Sequence, residues 1–359
     1  MILTYKKNII LIFLKNIFTI TGFFFCMILI LNILEEITFF KDVDVNIFLP
    51  FFLTFLNSTS ILFEIFPFIF LIGGMNFFME VLDKNELIIY KSYGLSNLKI
   101  IGIILSTTFI LGVFVVLFFY NISSNLKFLY LDLKNDYTKD DKYLAVVTAN
   151  GLWIKDHIDN KINIINAENI STKSLNNVII SQFDNEYNLL RIIEVENINI
   201  RNKVWLIKNP KITENNLETK SKENILMKTN FDHSRISTLF TNLSSLNLIR
   251  LNNLKKDFTS LGYSTTKIHS YQLNIYLYPV YLTIMVCIAS ILMLNIGHNK
   301  TRIFYLIMGI LISVLIYYMN YLFNILIENQ RIPFMFSVWF TQFLLFLFCL
   351  IGLVRINEK

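Results

Sequence analysis

Ile100 to Ile122 reads IIGIILSTTFILGVFVVLFFYNI, 23 residues without a charge. A helix crossing about 30 Å of hydrocarbon needs roughly 20 apolar residues, so this stretch is long enough to span a bilayer. The first charge after it, Lys127, opens a different kind of segment. Of the 58 Asp, Glu, Lys and Arg residues in the chain, 36 lie between Lys127 and Lys267. Outside that segment five more apolar runs recur: Ile17 to Leu34, Leu53 to Met79, Tyr271 to Ile296, Ile303 to Ile327, and Ile332 to Val354. The expected fold class is membrane α + β, with six transmembrane helices and an extracytoplasmic β-domain inserted between helices 3 and 4. Only 16% of the 359 residues are charged, against about a quarter in soluble domains. The first run is longer than the apolar core of a signal peptide and no small-x-small site follows it, so it is read as a span.

Lys and Arg in short loops set the orientation, because they are retained on the cytoplasmic side. With the N-terminus inside, that side holds Lys6, Lys7, Lys15, Lys84, Lys91, Lys99, Lys300, Arg302, Arg355 and Lys359, against Lys41 and Arg331 in the short outer loops. Both termini are then cytoplasmic and the charged segment is outside. The expected divisions are 1–122, helices 1 to 3 with a cytoplasmic helix at about 83–97; 123–270, the outer domain and a return helix; and 271–359, helices 4 to 6. The second run, entered from Val45, exceeds a straight span and contains Asn57, Ser58, Thr59, Ser60, Glu64 and Pro67. Its first part is expected along the outer interface. Glu64 is the one carboxylate inside a predicted span, and such groups are costly in lipid. It is either bonded to a neighbouring helix or placed to meet a substrate.

Between Tyr143 and Phe231 short runs of Val, Ile, Leu and Trp alternate with Asn, Asp, Lys and Gly, the pattern of antiparallel strands. Strands are expected at Tyr143 to Thr148, Leu152 to Lys155, Lys161 to Asn166, Asn177 to Phe183, Leu190 to Asn197 and Lys203 to Lys208, with a tight turn at Asn150-Gly151. A sandwich or jelly-roll suits so many short strands. Its core is expected from Val147, Trp153, Ile164, Ile180, Ile192 and Leu206. Leu239, Leu243, Leu246, Ile249 and Leu254 recur at helical spacing and predict a helix returning to the membrane.

Several chemistries are excluded. The net charge of +6 comes without the basic and aromatic clustering of a nucleic-acid groove, so no nucleic acid is expected. Gly297-His298-Asn299-Lys300-Thr301 ends like a phosphate loop but lacks its correctly placed glycine. The chain is therefore not expected to hydrolyse ATP or act as an enzyme. His157, His233, His269 and His298 are scattered, and Cys26, Cys287 and Cys349 lie in apolar runs, so no catalytic residue, metal, cofactor or disulfide is expected.

The stretch Phe63-Glu64-Ile65-Phe66-Pro67-Phe68-Ile69-Phe70-Leu71-Ile72-Gly73, followed by Asn85-Glu86-Leu87-Ile88-Ile89-Tyr90-Lys91-Ser92-Tyr93-Gly94-Leu95-Ser96, resembles the most characteristic segment of the LptF/LptG lipopolysaccharide-export permeases. Asn150-Gly151-Leu152-Trp153-Ile154-Lys155-Asp156 resembles the opening of their β-jelly-roll, and Tyr278-Pro279, Ile332-Pro333 and Val338-Trp339 fall where later spans carry their marks. The Trp-containing jelly-roll start and the sequence around Tyr317 look more like LptG than LptF. Where that family often has a basic residue before span four, this chain has His269-Ser270-Tyr271-Gln272.

The resemblance implies a permease subunit of an ABC transporter in the bacterial inner membrane, extracting lipopolysaccharide and passing it to periplasmic bridge proteins. It implies a second homologous permease and a dimeric cytoplasmic ABC ATPase as partners. Glu86, Leu87, Tyr90, Gly94 and Ser96 are then the ATPase-coupling residues: Glu86 pairs with a base, Leu87 and Tyr90 fill an apolar groove, and Gly94 ends the helix. Lys41, Glu64 and Pro67 are candidates for the substrate cavity; a solvated loop charge is the plainer reading of Lys41. The competing reading is a membrane-anchored receptor or assembly protein whose outer domain binds a partner, for which six spans exceed what an anchor needs.

Overall fold

A computed structural model describes the chain except residues 1, 42–44, 136, 138–151, 159–160, 172–173, 215–216, 221–223, 234–235, 237–241, 261–263, 295–301, 329–333 and 358–359. The chain separates into two compact units, residues 1–127 with 266–359, and residues 128–265. This division falls inside the expected 123–270, because the third and fourth apolar helices continue beyond their uncharged cores.

In the first unit α1 (Ile2–Phe39), α2 (Phe48–Asp83), a short α3 (Glu86–Ser92) and α4 (Asn97–Phe114) follow one another. A π-helical turn, Val115–Tyr120, joins α4 to α5 (Asn121–Asn135). After the outer segment come α7 (Thr266–Leu294), α8 (Arg302–Glu328) and α9 (Phe334–Asn357). Six stretches among these are long and apolar enough to cross a membrane, and α2 and α7 carry the most buried of them. The six spans expected from the sequence, with a β-domain between the third and fourth, are those found. One detail differs: α2 is unbroken from Phe48, so the early part of the second run is helix in line with the span and does not form a separate interfacial segment. Long apolar helices keep every backbone group paired internally, which lipid requires.

Proline and glycine shape the packing. Pro67 lies inside α2 and, having no N–H, deprives the Phe63 carbonyl four residues back of its helical donor. The hydroxyl of Tyr278 on α7 donates to that carbonyl, and the two rings stack with centroids 4.5 Å apart. Gly112 on α4 faces Pro279 on α7, where a Cβ would come within 2.8 Å of the proline Cα. Only glycine permits that approach of two backbones.

The second unit holds an antiparallel sheet of β1 (Leu152–Ile158), β2 (Lys161–Ser171), β3 (Ser174–Phe183), β4 (Leu189–Asn199), β5 (Val204–Ile207), β6 (Lys211–Glu214), β7 (Leu217–Lys220) and β8 (Ile225–Lys228). Strands β1 to β4 form a meander; β5 and β6 both pair with β4, β8 pairs with β5, and β7 with β6. Rows run across the meander on one face: Leu152, Ala167, Val178 and Val195 in one, Ile154, Ile165, Ile180 and Ile193 in the next, all buried. The third row is polar. Asp156, fully buried, accepts from Thr229 Oγ1 (2.7 Å), Asn230 N (3.2 Å) and Asn230 Nδ2 (2.8 Å), while Gln182 donates to Asn163 Oδ1 (2.7 Å). Buried polar groups persist when they are satisfied in this way.

The expected core needs correction. Trp153 is 55% exposed and Leu206 is also exposed, whereas Leu152, Ile154, Trp205 and Ile207 are buried. Ile164 and Ile192 are only half-buried, Ile180 is core, and Val147 lies outside the described residues, as do the strand at Tyr143 to Thr148 and the turn at Asn150-Gly151. Strand side chains alternate, so a shift of one residue turns every side chain to the other face. In Leu152-Trp153-Ile154 both phases are apolar, and burying two aliphatic residues prevails over burying the single ring. The return helix is α6 (Leu248–Ser260); Leu251 and Leu254 are buried on it, and Ile249 points outward. A 3₁₀ turn, Leu243–Ser245, precedes it, so the helix starts later than its apolar spacing suggests.

Candidate functional site

The loop between the second and third spans is built from strong local signals. Lys84 caps α2, and Asn85 adopts a left-handed conformation (φ 55°) that reverses the chain into α3. Asn tolerates that region better than most residues. The helix ends at Tyr93 and Gly94 (φ 81°), where the Gly94 N–H donates to the Lys91 carbonyl (2.9 Å) and the Leu95 N–H to the Tyr90 carbonyl (3.1 Å). Gly94 supplies the positive φ of a helix stop at no steric cost. Ser96 then caps α4, its Oγ accepting from Lys99 N at 3.3 Å.

Within this short helix the side chains divide by environment. Tyr90 is 5% exposed. Its hydroxyl donates to Glu86 Oε2 (2.8 Å) and accepts from Asn8 Nδ2 of α1 (3.0 Å). Burial, with the Glu86 carboxylate beside it, pushes the Tyr90 hydroxyl up to about 12. Tyr90 thus fills a site in its own chain and is not free for a partner's groove, which corrects the expectation for that residue. Leu87 is half-buried. The large apolar side chains that α3 and its cap expose are Ile88, Ile89 and Tyr93. Helical geometry explains the split, since residues 86 and 90 share one face of the helix.

Beside α3, a second polar cluster ties α1 to α2. Asn16 Nδ2 donates to Glu80 Oε2 (2.7 Å), Asn76 Nδ2 to Asn16 Oδ1 (2.6 Å), and Glu80 Oε1 pairs with Lys84 (2.7 Å) and Lys15 (3.4 Å). The Glu80 carboxylate, by its hydrogen bond, holds the Lys84 ammonium above the usual lysine range.

Glu64 lies far along α2 from this loop. Its carboxylate meets Lys127 of α5 at 3.8 Å, with the Glu64 side chain 59% exposed and that of Lys127 only 13%. The hydroxyls of Tyr120 and Tyr271 share a hydrogen bond in the same neighbourhood. Pro67 is buried one turn further along α2, and Lys41 is exposed at the turn after α1. The structure therefore brings Glu86 and Tyr90 together and places Gly94 and Ser96 at the helix boundaries. It does not join Lys41 to Glu64, and Trp153 belongs to the β-unit. Sequence reasoning missed Asn8, Asn16, Asn76 and the pairing of Lys127 with Glu64, and it named Tyr278 without its bond to Phe63. Polar residues at the edges or inside apolar runs were the available signal.

This plan of six spans, with a short capped helix between the second and third and a β-unit between the third and fourth, coincides with a match to the family Lipopolysaccharide export system permease LptF/LptG over residues 8–355. The chain belongs to that family. Among curated proteins none matches it. As an LptF/LptG protein it is a multi-pass inner-membrane component of lipopolysaccharide export, a transport subunit of the ABC class. The match covers both halves of the membrane unit and the whole β-unit, and it does not separate LptF from LptG.

Proposed function

We propose that this LptF/LptG chain extracts lipopolysaccharide from the inner membrane and hands it to periplasmic bridge proteins, working with a second homologous permease and driven by a dimeric cytoplasmic ATPase that docks on α3. The observation that carries the reading is the exposed apolar set Ile88, Ile89 and Tyr93 on a capped helix between two spans, on the side where short-loop Lys and Arg concentrate. Energy has to reach a permease without a phosphate loop through protein contact, and an apolar patch of this kind suits insertion into a partner's groove. Glu86 adds a charge at the rim, Leu87 backs the apolar face, and Gly94 and Ser96 fix where the helix ends. In this reading the termini are cytoplasmic and the β-unit periplasmic. Lys41 and Glu64 lie towards the outer leaflet to meet the glycolipid headgroup, with Pro67 shaping the wall behind them.

The test is co-purification of the chain, a second permease and the ATPase from membranes, with lipid release measured on ATP addition. Ile88→Glu with Ile89→Glu is expected to strip the ATPase while leaving membrane insertion and permease pairing intact. Glu86→Lys should weaken retention or uncouple hydrolysis from release. Full retention and release in both variants would remove α3 as the docking element. Thiol labelling of Ser92→Cys from the cytoplasmic side, and of Ser174→Cys from the periplasmic side, checks the orientation.

A further inference from the structure

We infer that Tyr90 is a positioning residue that fastens the coupling helix α3 to the first span through Asn8, so that α1 follows α3 when the ATPase moves it. This rests on the proposed role of α3 and goes beyond it, because docking alone says nothing about which span receives the motion. The geometry is specific. The Tyr90 hydroxyl sits between Glu86 Oε2 at 2.8 Å on its own helix and Asn8 Nδ2 at 3.0 Å on α1, with the ring buried. Tyr90 is the buried member of α3, so the exposed Ile88, Ile89 and Tyr93 are left for a partner while Tyr90 turns inward to the spans.

The attachment matters because of how α1 is held. Its span is among the least buried of the six, and Phe18, Phe23, Ile30, Leu31 and Leu34 along it are exposed. Apolar contacts with lipid fix no position, so α1 is placed by its packing along α2, Phe13 against Phe77 among it, and by its polar ties to α2 and α3. Near its start those ties are Asn8 to Tyr90, then Lys15 and Asn16 to Glu80. The Asn16 tie binds α1 to α2; only the Asn8 tie in this set reaches α3. The sequence pattern of α3 gives no hint of this, since a Tyr in a short amphipathic helix reads as part of its apolar face.

Tyr90→Phe removes one oxygen and keeps the ring. Asn8→Ala removes the same bond from an exposed position, so it tests the idea even if the first variant packs poorly. Spin labels at Lys7→Cys and Ser92→Cys in the full chain in nanodiscs should give one narrow distance distribution in the parent protein and a broadened one in either variant. In the complex with the ATPase, both variants should retain the ATPase and hydrolyse ATP, while lipid released per ATP falls about fivefold, the population shift one such hydrogen bond sustains. The double variant should be no worse than either single one. An unchanged distance distribution, or parental release per ATP in both variants, would overturn the inference. Failure of the parent chain to hold any ATPase would remove the proposed function instead, and the distance measurement, which needs no ATPase, would still decide whether Tyr90 ties α3 to α1.

Discussion

The membrane unit and the β-unit solve burial in opposite ways. In the β-unit water defines the outside, so burial follows hydrophobicity: the rows Leu152 to Val195 and Ile154 to Ile193 are apolar and inside, and their polar continuation at Asp156 is satisfied by Thr229 and Asn230. In the membrane unit lipid is as apolar as the interior, so hydrophobicity does not sort the faces. There Phe18 and Ile30 are exposed while Asn16 and Ser58 are buried, and the polar ties, Asn32 to Ser58 at 3.0 Å among them, join the helices. Polar side chains are thus stabilising in the apolar unit, whereas in the water-facing unit the large apolar side chains are.

The largest expected effect tests the β-unit side of that comparison. Trp205 is fully buried, and its indole N–H donates to the Phe231 carbonyl at 3.1 Å. Trp205→Ala should cost about 3–5 kcal/mol, and Trp153→Ala less than about 0.5 kcal/mol as a surface change. Amide exchange across β2 to β4 in the full chain measures both; equal loss of protection would mean the two faces of the sheet had been assigned wrongly.

Next in size is the steric contact between α4 and α7. Gly112→Ala brings a methyl against the Pro279 backbone and should destabilise the membrane unit by about 1–3 kcal/mol. The measurement is thermal inactivation of the detergent-solubilised chain, with Gly102→Ala as the control: a Cβ there meets nothing within 4 Å beyond its own helix backbone and chain neighbours, so it should be neutral or slightly stabilising.

A smaller effect probes the polar ties directly. Tyr278→Phe keeps the ring stacked on Phe63 but leaves the carbonyl released by Pro67 without its donor. Interhelical hydrogen bonds in membranes are worth about 0.6 kcal/mol on average and up to about 1.7 kcal/mol. A loss in that range in the same assay is expected, and replacing Pro67 by Ala in the Tyr278→Phe background should recover it. No recovery would show that the hydroxyl serves another group.

The smallest effect concerns the turn between β3 and β4. Asp184 accepts from the Asn188 side chain (2.9 Å) and from the Asn188 and Glu186 backbone N–H groups (2.8 and 2.9 Å). Those bonds, the Asn188 side chain first, hold its carboxyl below the usual carboxylate range. A lowered folded-state pKa stabilises the turn above the unfolded value of about 3.9, and that stabilisation is lost as pH falls through the folded one. The protection of the Glu186 and Asn188 amides, relative to their intrinsic exchange at each pH, should therefore hold at neutral pH and fall on acidification below pH ~4. Protection that does not change with pH would show the turn to be held by its backbone alone.

How far the sequence could be read follows from the same contrast. Uncharged runs such as Ile100 to Ile122 were legible as spans, because their length and lack of charge answer to the bilayer itself. Gly94 was legible as a helix stop because its backbone freedom is local, whereas Asn85 lay inside the helix expected at about 83–97 and the observed helix, Glu86–Ser92, is shorter. Strand positions were legible at β1 to β5, but β6 to β8 were not: each is only four residues long, and β6 and β8 are held by pairing with β4 and β5 earlier in the chain. The candidate site was half legible. Glu86 and the capped helix stood out in sequence, whereas the inward turn of Tyr90 depends on Asn8, 82 residues away.

The sequence by itself determined the membrane class, the six spans, the place of the β-unit and the family, because hydropathy, charge and local backbone preference act over one or two turns of chain. Only the tertiary structure decided which face of each element is buried. In Leu152-Trp153-Ile154 and in Val204-Trp205-Leu206-Ile207 both strand phases are apolar, so the choice between Trp153 and Trp205 falls to the partners each face meets. In and beside the spans, which Asn or Tyr points inward follows from the partners within reach: the Phe63 carbonyl for Tyr278, Glu80 and Asn76 for Asn16, and Glu86 and Asn8 for Tyr90. Apart from that with Glu86 those pairings are long-range, and in a medium where every apolar face is equally content they carry the specificity that hydrophobicity cannot.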